Sequence, residues 1–239
     1  MKNLLLASCL LMAFNVVSAQ QSPIHQNSAG IINSGNDWQF GINSGASLGI
    51  NSKESSLFRG NGFATGLTSQ YFFGAMGLGV NGGFINSKLN TSAINQFMID
   101  RKFPLTSTVT SSPSQNAYLL VGPSLRLGQR AQLIAAIKGG VFFNQSGGLI
   151  IGQQGAVRPL YRFDAGSNSL FPGFNGSVSF SYPVSNSSSF LLSTDFLQSS
   201  SSIQLFDPQQ GIDIPVEQKR NWQAINIGIS FIKTFETKS

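Results

Sequence analysis

Three ionisable side chains stand out by where they fall. Arg126, Lys138 and Asp195 lie in stretches where apolar residues alternate with Gly, Ser, Asn and Gln, and they are the three charges on the polar side of that alternation. If the polar side lines a narrow interior, the charges should pair, because a lone buried charge is costly. Lys138 and Asp195 fall at similar depths along their stretches. The spacing therefore predicts an Asp195–Lys138 pair, with Arg126 as the second choice for Asp195. Such a set could carry a proton or an ion. Its plainer use is a structural plug.

Other chemistry finds little support. His25 is the single histidine and lies in a Gly/Asn/Ser-rich stretch ahead of the first alternation, so a Ser-His-Asp set cannot form. Acidic residues are scattered singly, which gives no paired-carboxylate site. Cys9 is the single cysteine and falls in a leader-like segment. The chain beyond that leader is expected to hold no disulfide, thiolate nucleophile or Cys-ligated metal. Asp207, Asp213 and Glu217 share one segment, but their spacing matches no Ca²⁺ loop. No catalytic, cofactor-binding or metal-ligating residue is assigned and no cofactor is expected. The sequence points to a protein that is not an enzyme.

The elements that position the three charges are strands. From Trp38 to Ile50, residues Trp38, Phe40, Ile42, Ala46, Leu48 and Ile50 point one way and Gln39, Gly41, Asn43, Ser47 and Gly49 the other. A period of two means strand. Eight such stretches are predicted, at about 38–50, 62–73, 76–86, 117–128, 131–144, 173–183, 189–198 and 223–235. Ten residues at about 3.3 Å each, tilted about 45°, span about 23 Å, close to the apolar band of a membrane barrel. Pro123 cannot donate to a ladder, so a bulge is expected there. Leu120, Ile134 and Phe142 point to the polar side by parity.

Alternation alone does not say which face is outside, since a soluble lipocalin-like barrel also alternates. The polar face decides. A solvated face should carry Lys and Glu, yet charged residues make up 10% of the chain, alongside 26 Gly and 20 Phe. The expected fold is therefore all-β, an eight-stranded antiparallel up-and-down transmembrane β-barrel. Its connections alternate in length. Segments 74–75, 129–130 and 184–188 are short, and 51–61, 87–116, 145–172 and 199–222 are long. Short turns on the periplasmic side and long loops outside is the asymmetry of outer-membrane barrels.

The aromatics follow that orientation. Trp38, Phe40, Tyr71, Phe73, Tyr182, Phe190 and Phe235 are expected to form a girdle at the short-turn end. Phe84, Phe143 and Phe174 would sit at the other rim, with Trp222 nearby. Arg59, Lys88, Arg101, Lys102, Arg158, Arg162, Lys219 and Arg220 fall in the long connections, at the level of lipopolysaccharide phosphates. Apolar residues there (Phe97, Met98, Ile99, Leu149, Ile150, Ile151) could let strands continue above the membrane, where an exposed sheet edge could bind a surface protein.

Residues 1–19 have the anatomy of a secretory signal peptide: a basic start at Lys2, an apolar run over 4–17 and small residues at Val17-Ser18-Ala19. Leu6-Ala7-Ser8-Cys9 offers a lipobox as an alternative. Residues 20–37 are expected to form a periplasmic N-terminal tail, 38–235 the barrel and 236–239 a C-terminal tail. The net charge of +6 could favour acidic head groups. Export argues against a nucleic-acid partner.

With these residues in view, the chain resembles the small bacterial outer-membrane β-barrel family, the OmpA/OmpX-like and outer-membrane-protein β-barrel-domain group. The resemblance covers about 38–235. It rests on the architecture, on Gly-Pro-Ser-Leu-Arg-Leu-Gly at 122–128, and on the closing strand Asn226-Ile-Gly-Ile-Ser-Phe-Ile-Lys-Thr-Phe235, which is similar to the family's C-terminal assembly signal. Lys233 and the extension beyond Phe235 depart from that signal, and no space is expected there for a peptidoglycan-binding domain. The resemblance implies a Gram-negative outer membrane, contact with outer-membrane lipid and lipopolysaccharide, and insertion by the outer-membrane assembly machinery. Enzymes similar to this family that modify lipid A use a His with Ser and a carboxylate near the outer rim, a place His25 cannot reach. The expected role is structural or surface-interacting, carried by the long loops. A small porin-like pore is the alternative.

Overall fold

The computed structural model describes residues 36–50, 60–128, 131–165, 170–185 and 187–236. Eight strands form the wall. They are β1 (Asn36–Gly49), β2 (Gly62–Phe73), β3 (Met76–Ser87), β5 (Ser114–Leu127), β6 (Gln132–Gln145), β9 (Leu170–Ser185), β10 (Ser188–Asp207) and β11 (Ile212–Glu236). Three short strands, β4 (Ser107–Ser111), β7 (Leu149–Gln153) and β8 (Tyr161–Ala165), and one helix, α1 (Thr91–Asp100), lie in the long connections.

The wall closes on itself. The order β11-β1-β2-β3-β5-β6-β9-β10 returns to β11 through an antiparallel ladder in which Asp195 faces Asn226 and Phe190 faces Phe231. Closure leaves no unpaired edge in the ring, which a hydrocarbon environment demands. The oily face is outside: Ile42, Leu67 and Ile137 are 66%, 62% and 71% exposed, while Asn175, Asn226 and Ser230 are buried. A soluble barrel would show the reverse. Soluble monomers rarely expose apolar patches beyond a few hundred Å², and here apolar side chains cover the outside of every wall strand. That surface is stable only against lipid. The fold is a transmembrane β-barrel of the outer-membrane type.

Inside, eight strands leave a space that side chains can fill. Near the short-turn end, Phe72, Ile134, Leu191 and Ile232 cluster. Toward the other end, Ala64, Ile85, Leu120, Phe142, Leu197, Trp222 and Ala224 form a second apolar layer. The polar layer that holds Lys138 and Asp195 lies between them. The inward parity of Leu120, Ile134 and Phe142 is what builds these two layers.

Four sequence expectations are corrected. Pro123 makes no bulge: the β5–β6 register is the same at Val121↔Gly139 and Ser124↔Ala136, and the ladder only skips the proline. Trp222 faces the interior, its ring centre 5.8 Å from that of Phe142, because it shares parity with Ala224 and Asn226. Segment 199–222 is mostly strand rather than loop, since β10 and β11 continue past the ring as one hairpin. Finally, Phe97, Met98 and Ile99 lie on a helix and prolong no strand.

The additional elements form a lobe on the long-connection end. The upper part of β10 pairs with β8, β8 with β7, and β7 with β4. Helix α1 starts at Asn90, whose side chain accepts the Ala93 amide, and brings Ile94 and Phe97 against this sheet. The lobe has its own core of Leu89, Ile94, Phe103, Leu149, Ile151, Tyr161, Phe163, Ile203 and Leu205. Residues 1–35 and 51–59, with His25, Cys9, Arg59 and the expected cleavage site, lie outside the described residues.

Candidate functional site

Two regions could act: the charged interior and the lobe. In the interior, Arg126 projects from the short-turn end of β5. Its guanidinium donates to an Asp37 carboxylate oxygen at 2.9 Å and to the Gly74 carbonyl at 2.9 Å, and lies 4.3 Å from the Phe72 ring centre. The Gln39 amide donates to the same Asp37 oxygen. Asp37 belongs to β1, ahead of the barrel start expected at residue 38. The alternation itself could have found it, because Asp37, Gln39 and Gly41 share one parity.

Lys138 is fully buried on β6. Its ammonium donates to Asn81 Oδ1 at 2.7 Å, and the Thr68 hydroxyl donates to the same oxygen at 2.8 Å. Asp195 accepts from the Asn175 amide at 3.4 Å. The two charges interact electrostatically, but each takes an amide in place of the direct pair expected from spacing. The reason is room. Gly79 carries no side chain, and a Cβ there would meet the Lys138 ammonium at 3.1 Å, so the lysine extends toward β3. On the other side Asn175 stands in register beside Lys138 and receives the carboxylate. Arg126, the second choice for Asp195, takes Asp37 instead.

The seven residues assigned to the girdle all sit near the short-turn end. Trp38 contacts Phe40 and Tyr71 at ring-centre distances of 5.8 and 4.9 Å, Phe40 contacts Phe235 at 5.9 Å, and Tyr71 contacts Phe73 at 6.5 Å. Phe190 pairs with Tyr182 in register and packs on Phe231 at 5.7 Å. Ring contacts of this kind contribute about 0.5–1.5 kcal/mol each beyond burial.

The lobe presents polar chemistry around an apolar centre. Asp207, nearly fully buried, accepts from Arg101 at 2.9 Å, and Arg101 also lies 5.3 Å from the Phe97 ring centre. Arg162 pairs with Asp164, and the Ser202 hydroxyl donates to Glu217. Tyr161 is buried beneath this cluster. Its hydroxyl is pushed up to about 12, chiefly because burial disfavours the phenolate. Among the described residues no group of three or more His, Cys, Asp or Glu could hold a metal ion.

The lobe sheet ends on two strand edges. Among the described residues, β11 pairs along 212–222 with β10, and its ladder with β1 begins at Ala224. On the far side, among the described residues, β4 pairs only with β7.

The architecture defines the class: a small outer-membrane β-barrel with an extramembrane lobe. No family model matches the chain, and no curated protein matches it. Solved structures similar to it include Ail, the attachment invasion locus protein of Yersinia pestis, in complex with the heparin analogue sucrose octasulfate (8% identity, 84% of this chain and 99% of that one, TM-score 0.46). A major outer membrane protein from Thermus thermophilus is similar at 12% identity, over 83% and 99% of the two chains, with a TM-score of 0.48. The outer membrane protein OprG from Pseudomonas aeruginosa is similar at 12% identity, over 85% and 97%, with a TM-score of 0.41. The fold assignment stands on this chain's own strand ring and exterior.

Proposed function

We propose that this chain is a non-enzymatic barrel of the bacterial outer membrane whose lobe faces outward and makes surface contacts. The observation that carries this reading is the lobe itself. Long loops that only close a barrel need no core, whereas this lobe buries nine residues in a cluster of its own. A rigid scaffold that holds an adaptable surface is the usual arrangement for binding. The short connections would then face the periplasm, and the N-terminal segment with them.

The filled interior supports a binding role over a pore. Two apolar layers and the Arg126–Asp37 closure stand in series across the lumen. Lys88, Lys102, Arg158 and Lys219, on the lobe side, favour the phosphates of lipopolysaccharide as one class of contact and an envelope or surface protein as another. Insertion through the assembly machinery fits the closing strand.

The test uses refolded protein in lipid. Binding to lipopolysaccharide and to envelope proteins is compared between the full chain and a variant with 90–112 and 147–168 shortened to turns. Binding that survives this deletion would sink the reading. So would steady ion conductance of the full chain in planar bilayers.

A further inference from the structure

The two outermost described strands of the lobe sheet are chemically opposite. Segment Ile212–Trp222 of β11 carries Asp213, Pro215, Glu217, Lys219 and Arg220. Charges and proline along an edge are what proteins use to block strand addition. Strand β4 reads Ser107-Thr-Val-Thr-Ser111, with no charge and no proline, and Thr108 to Ser111 are exposed. The β11 segment carries these blocking features, and β4, which has no second strand partner among the described residues, carries none.

Strand β4 is also symmetric about Val109: Thr108 matches Thr110, and Ser107 matches Ser111. Backbone direction agrees with that centre. The Ser112 amide donates to the Gly148 carbonyl on the β7 side. In an antiparallel ladder the bonding residues alternate, so Thr108 and Thr110 bond inward to β7. Val109 and Ser111 turn their N–H and C=O groups outward. The centre of the palindrome is therefore an outward-bonding residue, as a twofold axis through a hydrogen-bonded pair requires.

We propose that β4 is a homotypic contact: the β4 edges of two copies of this chain pair antiparallel about Val109 and join their lobe sheets. Val109 faces its own counterpart, Thr108 faces Thr110 of the second copy, and Ser107 faces Ser111. Thr–Thr cross-strand pairs are favourable, Ser meets Ser, and no like charges meet. An isologous contact of this kind is how identical chains most often associate. The inference rests on the lobe being the interacting part and names a second copy as its partner.

Cysteine crosslinking of full-length protein folded in detergent micelles, where two barrels are free to take either relative orientation, tests the register, with Cys9 replaced by Ser. Val109→Cys places two sulfurs on a hydrogen-bonded pair about 5.5 Å apart at Cα, within disulfide reach. It should give a disulfide dimer under mild oxidation, at least tenfold above Ile214→Cys on the β11 segment. A mixture of Thr108→Cys and Thr110→Cys chains should crosslink, because these positions face each other. Thr108→Cys alone should not, since like positions then lie on a diagonal of about 7–8 Å. Adding Val109→Lys to the mixture should remove the crosslink at least tenfold, and Val109→Thr should keep it. Heat-modifiable gel mobility confirms that each variant is a folded barrel. A Val109→Cys yield no higher than the Ile214→Cys control overturns the proposal. Equal crosslinking of Thr108→Cys alone and the mixture also overturns it. Lobe-dependent binding to lipopolysaccharide or envelope proteins is scored separately, so loss of the dimer alone leaves the functional reading standing.

Discussion

The Arg126 guanidinium holds the Asp37 carboxylate at 2.9 Å across the short-turn end of the barrel, with the Phe72 ring centre 4.3 Å away. The two residues are 89 positions apart in the chain. They meet because β1 and β5 reach the same rim.

Breaking this pair on one side should cost more than removing it. Asp37→Leu leaves a buried guanidinium with the Gly74 carbonyl as its remaining acceptor, and a loss of about 3 kcal/mol is expected. The double variant Asp37→Leu/Arg126→Met should be closer to the parent than either single change. Urea unfolding of the refolded barrel in vesicles measures all four proteins. A double variant as unstable as the sum of the singles would reject the account.

The lobe core should fail separately from the wall. Phe163 is fully buried there, and Phe163→Ala is expected to cost about 3–5 kcal/mol. Limited proteolysis should then cut within 90–112 or 147–168, while the wall keeps its heat-modifiable mobility. Loss of the wall together with the lobe would contradict two independent cores.

Wall strands and lobe were not equally legible in the sequence. Each wall strand sets a lipid-facing apolar residue against a small polar one, so period two is strong and all eight strands could be placed. Strand β4 is exposed along most of its length and has no such contrast. Strands β7 and β8 are five residues each, too short for a pattern. Helix α1 did carry signals: Asn90 as a cap, and apolar residues at 94, 97 and 98. The pairing of interior charges was illegible for another reason. Parity gives the face of a residue, but the choice of partner depends on empty space such as that at Gly79.

Tyr161 gives the lobe a pH dependence at the alkaline end. Its folded value, raised to about 12 chiefly by burial, exceeds the ordinary 10.0. The unfolded phenol therefore ionises first. The stability due to the neutral hydroxyl is complete below pH 10 and is lost as pH climbs toward about 12. The absorbance difference at 295 nm between the parent and Tyr161→Phe should show one phenol titrating near the upper value. A midpoint at 10 would refute the burial argument.

Two glycines on opposite faces should respond in opposite ways. A Cβ on Gly122 would lie 2.2 Å from the Ile137 carbonyl oxygen and 2.7 Å from Lys138 Cα, where the wall backbones crowd. Gly122→Val should lower the refolded yield severalfold. Gly176 has nothing within 4 Å of an added Cβ and shares the outward parity of Phe174 and Val178. Gly176→Val should refold at least as well as the parent, since a β-branched side chain suits a strand. Densitometry of folded and unfolded bands reads both.

The hairpin of β10 and β11, with strands of 20 and 25 residues, rises out of the wall with no linker between barrel and lobe. Mechanically this makes the lobe a mast rather than a tethered float. A pull on it is borne in shear along a continuous hydrogen-bond ladder, and its tilt and azimuth are inherited from the wall. A partner of the kind proposed would thereby be held at one bearing relative to the membrane plane.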